Sequence, residues 1–127
     1  MKLFEQDYIM RVIKEIARVL AKVLFNADSK AIVEDSKEDK ETQQMLTELL
    51  DMVDEGLINE SENIIFEMAE KGIKTDLQIV LQFYSYLNDK SDLFLEEHNF
   101  SREEILSGLS DVTAKYGVKG IIEIFLQ

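Results

Sequence analysis

The chain has 127 residues, with 14 Lys and Arg against 26 Asp and Glu, for a net charge of −12. It has no cysteine, no proline, no tryptophan and one histidine, His98. These counts exclude disulfides, thiolate metal sites, iron–sulfur clusters, cysteine nucleophiles and every motif that needs two histidines, and the acidic balance argues against general nucleic-acid binding, which draws on clustered Lys and Arg.

The first predicted element is helix 1, at about 3–25. From Phe4 to Phe25 fourteen of twenty-two residues are apolar. At ~100° per residue the polar positions Asp7, Arg11, Lys14, Glu15, Arg18 and Lys22 fall on a stripe only ~100° wide. A helix with ~260° of apolar girth must be surrounded by its own chain, by a second copy, or by a lipid surface. Residues 1–25 sum to +2 and the remainder to −14. The cationic ridge of Arg11, Lys14, Arg18 and Lys22 therefore calls for carboxylates, from the 34–41 region or from a second subunit. Asp7 and Arg11 are spaced for a favourable i,i+4 pair. Asp7, Glu15, Arg18 and Lys22 break up any secretory apolar region. No run reaches the ~18 uncharged apolar residues of a membrane span, so the expected compartment is the cytoplasm.

The run Phe4-Glu5-Gln6-Asp7-Tyr8-Ile9-Met10-Arg11, followed by Ile13-Lys14-Glu15-Ile16 and Leu20-Ala21-Lys22-Val23-Leu24-Phe25, resembles the opening of a family of small uncharacterised bacterial proteins, the domain of unknown function DUF6483. The resemblance implies a small helical protein of bacterial origin. It brings no catalytic or binding residues with it.

Residues 26–41 are charge-dense and read as a solvated linker that leads into helix 2, at about 38–55. On helix 2, Asp51, Asp54 and Glu55 stand at i, i+3 and i+4, with Glu48 on the same side. That is a weak candidate for a hard cation held by oxygen ligands, set against a solvated acidic face. Helix 3 is expected near 60–71, helix 4 near 76–88, a short helix 5 near 92–98 and helix 6 near 102–116. Gly56-Leu57, Gly72-Ile73 and Gly117-Val118 each have the glycine–aliphatic form of a Schellman stop. Asn59 to Glu62, Thr75 to Gln78 and Ser101 to Glu104 each place a capping side chain three residues before Glu or Gln. The tail 118–127 suits a strand by composition. In a helical chain that strand has no partner, so a last docked helix is expected.

Helix 4 carries two apolar seams. Leu77, Val80, Leu81, Tyr84 and Leu87 form a core seam; Ile79, Phe83 and Tyr86 form either core or a groove for a partner helix. A shift of 34 residues lays Leu46, Leu49, Leu50 and Val53 on Val80, Phe83, Tyr84 and Leu87, the tetratricopeptide period, but the next helix loses the register. His98 lies in Glu96-Glu97-His98-Asn99 without an accompanying nucleophile motif. There is no nucleophile elbow, phosphate loop or EF-hand loop.

These readings give a single all-α domain over 1–127, with five to six antiparallel helices in an irregular bundle or in stacked, tetratricopeptide-like hairpins. The expected function is a non-enzymatic protein-interaction module that self-associates through helix 1. Its contact residues would be Arg11, Lys14, Arg18, Lys22, Phe83 and Tyr86. No cofactor and no small-molecule ligand is expected. The alternatives are a peripheral membrane protein using the basic amphipathic helix 3–25, and a carboxylate metal binder or enzyme using Glu48, Asp51, Asp54 and Glu55.

Overall fold

The computed structural model describes residues 2–25, 39–73, 76–118, 120, 123 and 124. Six helices follow in order: α1 (Lys2–Phe25), α2 (Asp39–Asp54), α3 (Ile58–Lys71), α4 (Leu77–Asn88), α5 (Asp92–Glu97) and α6 (Arg102–Ala114). No strand occurs among the described residues. The linker 26–38 and Thr75 lie outside them. Of the tail after Val118, only Gly120, Glu123 and Ile124 are described; their backbone is helical and Ile124 is exposed. Docking of the whole tail therefore lies outside the described residues.

The helix stops follow from the residues expected to make them. Gly56 takes φ +86, its N–H donates to Val53 O at 2.9 Å, and the Leu57 N–H reaches back to Met52 O at 2.8 Å. This is the paired bonding of a Schellman end, which a glycine adopts without Cβ strain. Helix α5 ends the same way on a residue the sequence reading passed over. Asn99, at φ 55, stands in the glycine position while Phe100 N–H bonds Leu95 O at 2.9 Å.

The starts divide differently. At α6 the expected cap forms: Glu104 N–H donates to Ser101 Oγ at 3.1 Å, and the hydroxyl donates to Glu104 Oε1 at 3.3 Å, so the glutamate meets the serine hydroxyl rather than the backbone N–H of a full box. At α3 it does not. The helix begins at Ile58 directly out of the Gly56 turn, with Leu57 at the cap and no side-chain cap bond. Asn59 is thus already inside the helix, and Glu62 turns into the core. At α4, Asp76 occupies the cap without a side-chain bond. An unforeseen cap opens α5, where Ser91 Oγ accepts from Phe94 N–H at 3.0 Å.

The packing is organised around α4, which meets α1, α2 and α6; α6 also meets α1 and α3, and α2 meets α3. Leu77, Val80, Phe83, Tyr84 and Leu87 of α4 are fully buried, as are Ile13, Ile16 and Leu20 of α1, Val53 of α2, Ile65 of α3, and Ile105 and Leu109 of α6. Each such side chain contributes ~1.5–3 kcal/mol relative to exposure. The bundle form is what the chain adopts. Within it α2 pairs with α3 and also packs on α4, so hairpin neighbours and longer-range neighbours both contribute.

Polar groups fix the angle at which these helices meet. Arg102 is 2% exposed. Its guanidinium donates to Asn88 O at 2.5 Å, Asn88 Oδ1 at 3.1 Å, Lys90 O at 2.7 Å and Asp92 Oδ1 at 2.9 Å. Asn88, also buried, donates through Nδ2 to Met10 O at 3.0 Å. One planar fork thereby satisfies the orphan carbonyls at the end of α4 and ties α1, α4, α5 and α6 together.

Candidate functional site

Helix α1 sets the position of the surface. Ile13, Ile16, Ala17 and Leu20 are buried, and Ile9, Val12 and Ala21 pack half-buried at the edge of the core. Tyr8 remains 67% exposed, and Met10 and Val19 are only half covered. Among the described residues, the cover thus falls on one side of the apolar girth that the sequence demands be covered. Arg11, Lys14, Arg18 and Lys22 all face solvent. Arg18 pairs with Glu15 at 2.8 Å, which lowers the Glu15 carboxyl below its ordinary value and raises the guanidinium. Among the described residues Arg11, Lys14 and Lys22 make no ion pair; the expected Asp7–Arg11 pair is not formed.

Beside this ridge runs a groove of about 640 Å³. Lys14, Ala17, Arg18 and Ala21 of α1 form one wall and Leu50 of α2 stands in the other. Leu81, Gln82, Ser85, Tyr86 and Asp89 of α4 form the floor. The small Ala17 and Ala21 side chains open this space, since larger groups at either position would fill it. The groove offers apolar surface from Ala17, Ala21, Leu50 and Leu81, with cations on one rim and the polar groups of Gln82, Ser85, Tyr86 and Asp89 along its base. It can seat an apolar helix face with carboxylates at its edge.

The two aromatic residues expected at a groove separate. Tyr86 lines it. Phe83 does not: it is fully buried, edge-on to Tyr84 with ring centroids 5.1 Å apart. Phe83 and Tyr86 are three residues apart, and a helix face that wide spans both the core and its margin. Phe83 is therefore core, not a contact residue.

Tyr86 belongs to a second set of contacts at the end of the groove. Its hydroxyl donates to Asp54 Oδ1 at 2.6 Å, and Lys90 pairs with the same carboxylate. The Lys90 ammonium lies 4.8 Å from the Tyr86 ring centroid and 4.9 Å from that of Phe94. The bonds from Lys90 and then Tyr86 hold Asp54 below the ordinary carboxylate range, and the bond to Asp54 raises the Tyr86 phenol. These contacts draw Asp54 away from the other helix 2 acids. Asp54 is committed to Tyr86 and Lys90, and Glu48, Asp51 and Glu55 point outward into solvent. No cluster of three metal-ligating acids or histidines occurs among the described residues.

His98 is half-buried at the end of α5. Nδ1 lies 2.8 Å from Phe94 O, so that nitrogen carries the hydrogen, and the ring packs on Phe94 at 4.4 Å. A Cβ built on Gly56 would stand 2.3 Å from the imidazole. The histidine thus locks α5 against the α2–α3 turn.

The sequence profile of the family of unknown function DUF6483 matches residues 3–117. The chain belongs to that family. The match runs from the first turn of α1 to the glycine that follows α6, and so takes in the groove, the Arg102 fork and the whole bundle. No curated protein and no solved structure matches the chain.

The buried polar residues Arg102, Asn88 and Glu62 escaped sequence reading. An arginine at the first position of a helix and a glutamate in a helix interior both look solvent-facing. The one available signal was Gly108, a glycine in mid-helix with no stop to make.

No described helix is long and apolar enough to cross a membrane.

Proposed function

We propose that this protein is a non-enzymatic interaction module that self-associates through α1 and the groove beside it. The observation that carries this reading is the uneven cover of α1. Ile13, Ile16 and Leu20 are sealed, while Tyr8, Met10 and Val19 and the cations Arg11, Lys14 and Lys22 are left toward solvent without ion partners among the described residues. A helix apolar over most of its girth gains further by burial against a second surface. The local charges favour an acidic one, and the exposed acids of the chain itself supply such a surface.

Light scattering across a concentration series of the full chain tests it. A mass that rises from one to two chains in the micromolar range supports the reading; a strict monomer throughout that range overturns it. Co-sedimentation of parent and Arg18→Glu, Lys22→Glu chains with vesicles rich in anionic lipid separates this from membrane docking. Pelleting of the parent that the variant loses would mean that the ridge serves lipid instead.

A further inference from the structure

The helices on either side of the groove carry solvent crests of opposite sign, and that asymmetry specifies how two copies meet. At about 100° per residue, Arg11, Lys14, Arg18 and Lys22 lie within an arc of roughly 80° along the solvent crest of α1. By the same count Glu41, Glu48, Asp51 and Glu55 lie within roughly 80° along the solvent crest of α2. All eight are exposed, and among the described residues only Arg18 is ion-paired, to its own neighbour Glu15. The two crests flank α4 and run in opposite directions beside it. Asn88 at the end of α4 bonds Met10, early in α1, while Tyr86 and Lys90 bond Asp54, the last residue of α2. Along the groove the cations therefore ascend from Arg11 to Lys22 as the acids run from Glu55 to Glu41. Lys14, Arg18 and Leu50 line the same stretch, which puts Glu48 and Asp51, either side of Leu50 in the chain, at the level of Lys14 and Arg18.

We propose that a second copy of this chain docks face to face on this groove, related by a twofold axis parallel to it, so that the Lys14–Arg18 crest of each copy lies over the partner's Glu48–Asp51 crest. A rotation about an axis along the groove preserves level and exchanges the walls, so cations meet carboxylates on both sides at once, as an isologous contact requires. The other in-plane axis, across the groove, stacks α1 on α1 and α2 on α2, setting like charges against each other. The two Leu50 side chains and the Leu81 and Tyr86 stretches of the two floors then face one another between the paired crests. This proposal rests on the self-association reading and specifies its geometry.

Charge reversal in two separate chains tests it, each checked by circular dichroism for unchanged helicity. One chain carries Lys14→Glu and Arg18→Glu; the other carries Glu48→Lys and Asp51→Lys. Each alone is expected to self-associate more weakly than the parent by about tenfold or more. An equimolar mixture is expected to form a heterodimer close to parent affinity, since both crest pairs are then complementary again. A parent that dimerises while neither variant weakens and the mixture gains nothing overturns this geometry and leaves self-association standing. Weakening by the α1 reversal alone places the cationic crest against other carboxylates, including those of residues 26–38, and also overturns it. A monomeric parent overturns the underlying reading itself.

Discussion

The hydroxyl of Tyr84 donates to Oε2 of Glu62 at 2.8 Å, inside the bundle and across the space left by Gly108. Glu62 is 9% exposed, and among the described residues no cation approaches it. Burial raises its carboxyl above the ordinary 4.5; the Tyr84 bond opposes this, and the charges of Glu104 and Asp111 on α6 add to it. Burial followed by the Glu62 charge drives the Tyr84 phenol upward as well. A carboxyl whose folded pKa is raised holds its proton more tightly folded than unfolded. Its site is therefore neutral at pH below the unfolded value. It costs stability progressively as pH climbs from 4.5 through the folded value, and that cost persists at neutral pH. Glu62→Gln keeps an acceptor for Tyr84 without the charge. It should raise stability at neutral pH by on the order of 1 kcal/mol, with the advantage vanishing in acid. Thermal melts of parent and variant over a pH series check this; a variant less stable than the parent at neutral pH contradicts it.

Gly108 is a glycine of necessity rather than of flexibility. A Cβ there would lie 2.2 Å from Glu62 Oε2 and 2.8 Å from the Tyr84 oxygen. In an exposed helix Gly→Ala gains about 1 kcal/mol, but here overpacking by about 1–3 kcal/mol opposes the gain. Gly108→Ala should be destabilised overall, and adding Glu62→Ala should remove most of the overpacking component. A double-mutant cycle in urea measures the coupling. Simple additivity of the two substitutions would disprove the contact.

The Arg102 fork predicts a different kind of loss. Its partners are two carbonyls, a buried amide and a carboxylate, all held by one guanidinium. Arg102→Met strands Asn88 and the end of α4, which should cost about 3 kcal/mol. Arg102→Lys should recover little, because a single ammonium cannot span acceptors arranged for a fork. Chemical denaturation of both variants decides; a lysine variant as stable as the parent would mean that charge alone, not geometry, holds this junction.

The helices were legible because their punctuation is local. Gly56, Gly72 and Gly117 all adopt positive φ where a stop was expected, and Ser101 caps α6. The caps at Asn59 and Thr75 were misjudged or lie outside the described residues, since a tight Schellman turn at Gly56 launches α3 two residues early and leaves no room for a separate cap. The apolar excess of α1 correctly required a neighbour, and α4 with α6 supplies one for Ile13, Ile16 and Leu20. The groove itself was only half visible. Lys14, Arg18 and Tyr86 were named from spacing, but Leu50, Gln82 and Asp89 reach it through the way α2 and α4 pack, which no window of the sequence encodes. Spacing leaves Phe83 open between core and groove, because the width of the core-facing side of α4 depends on three neighbours at once.

Because the chain contains no cysteine, a single introduced thiol gives a unique label, and the distance between labels in two copies reads the proposed contact directly. Gln82 is exposed on the groove floor, and Ser107 is exposed on α6. Spin labels on Gln82→Cys and, separately, Ser107→Cys, measured by pulsed dipolar spectroscopy at dimer-forming concentration, should give a short inter-chain distance at position 82 and a much longer one at 107. No inter-chain coupling at position 82, or a shorter distance at 107 than at 82, contradicts the account.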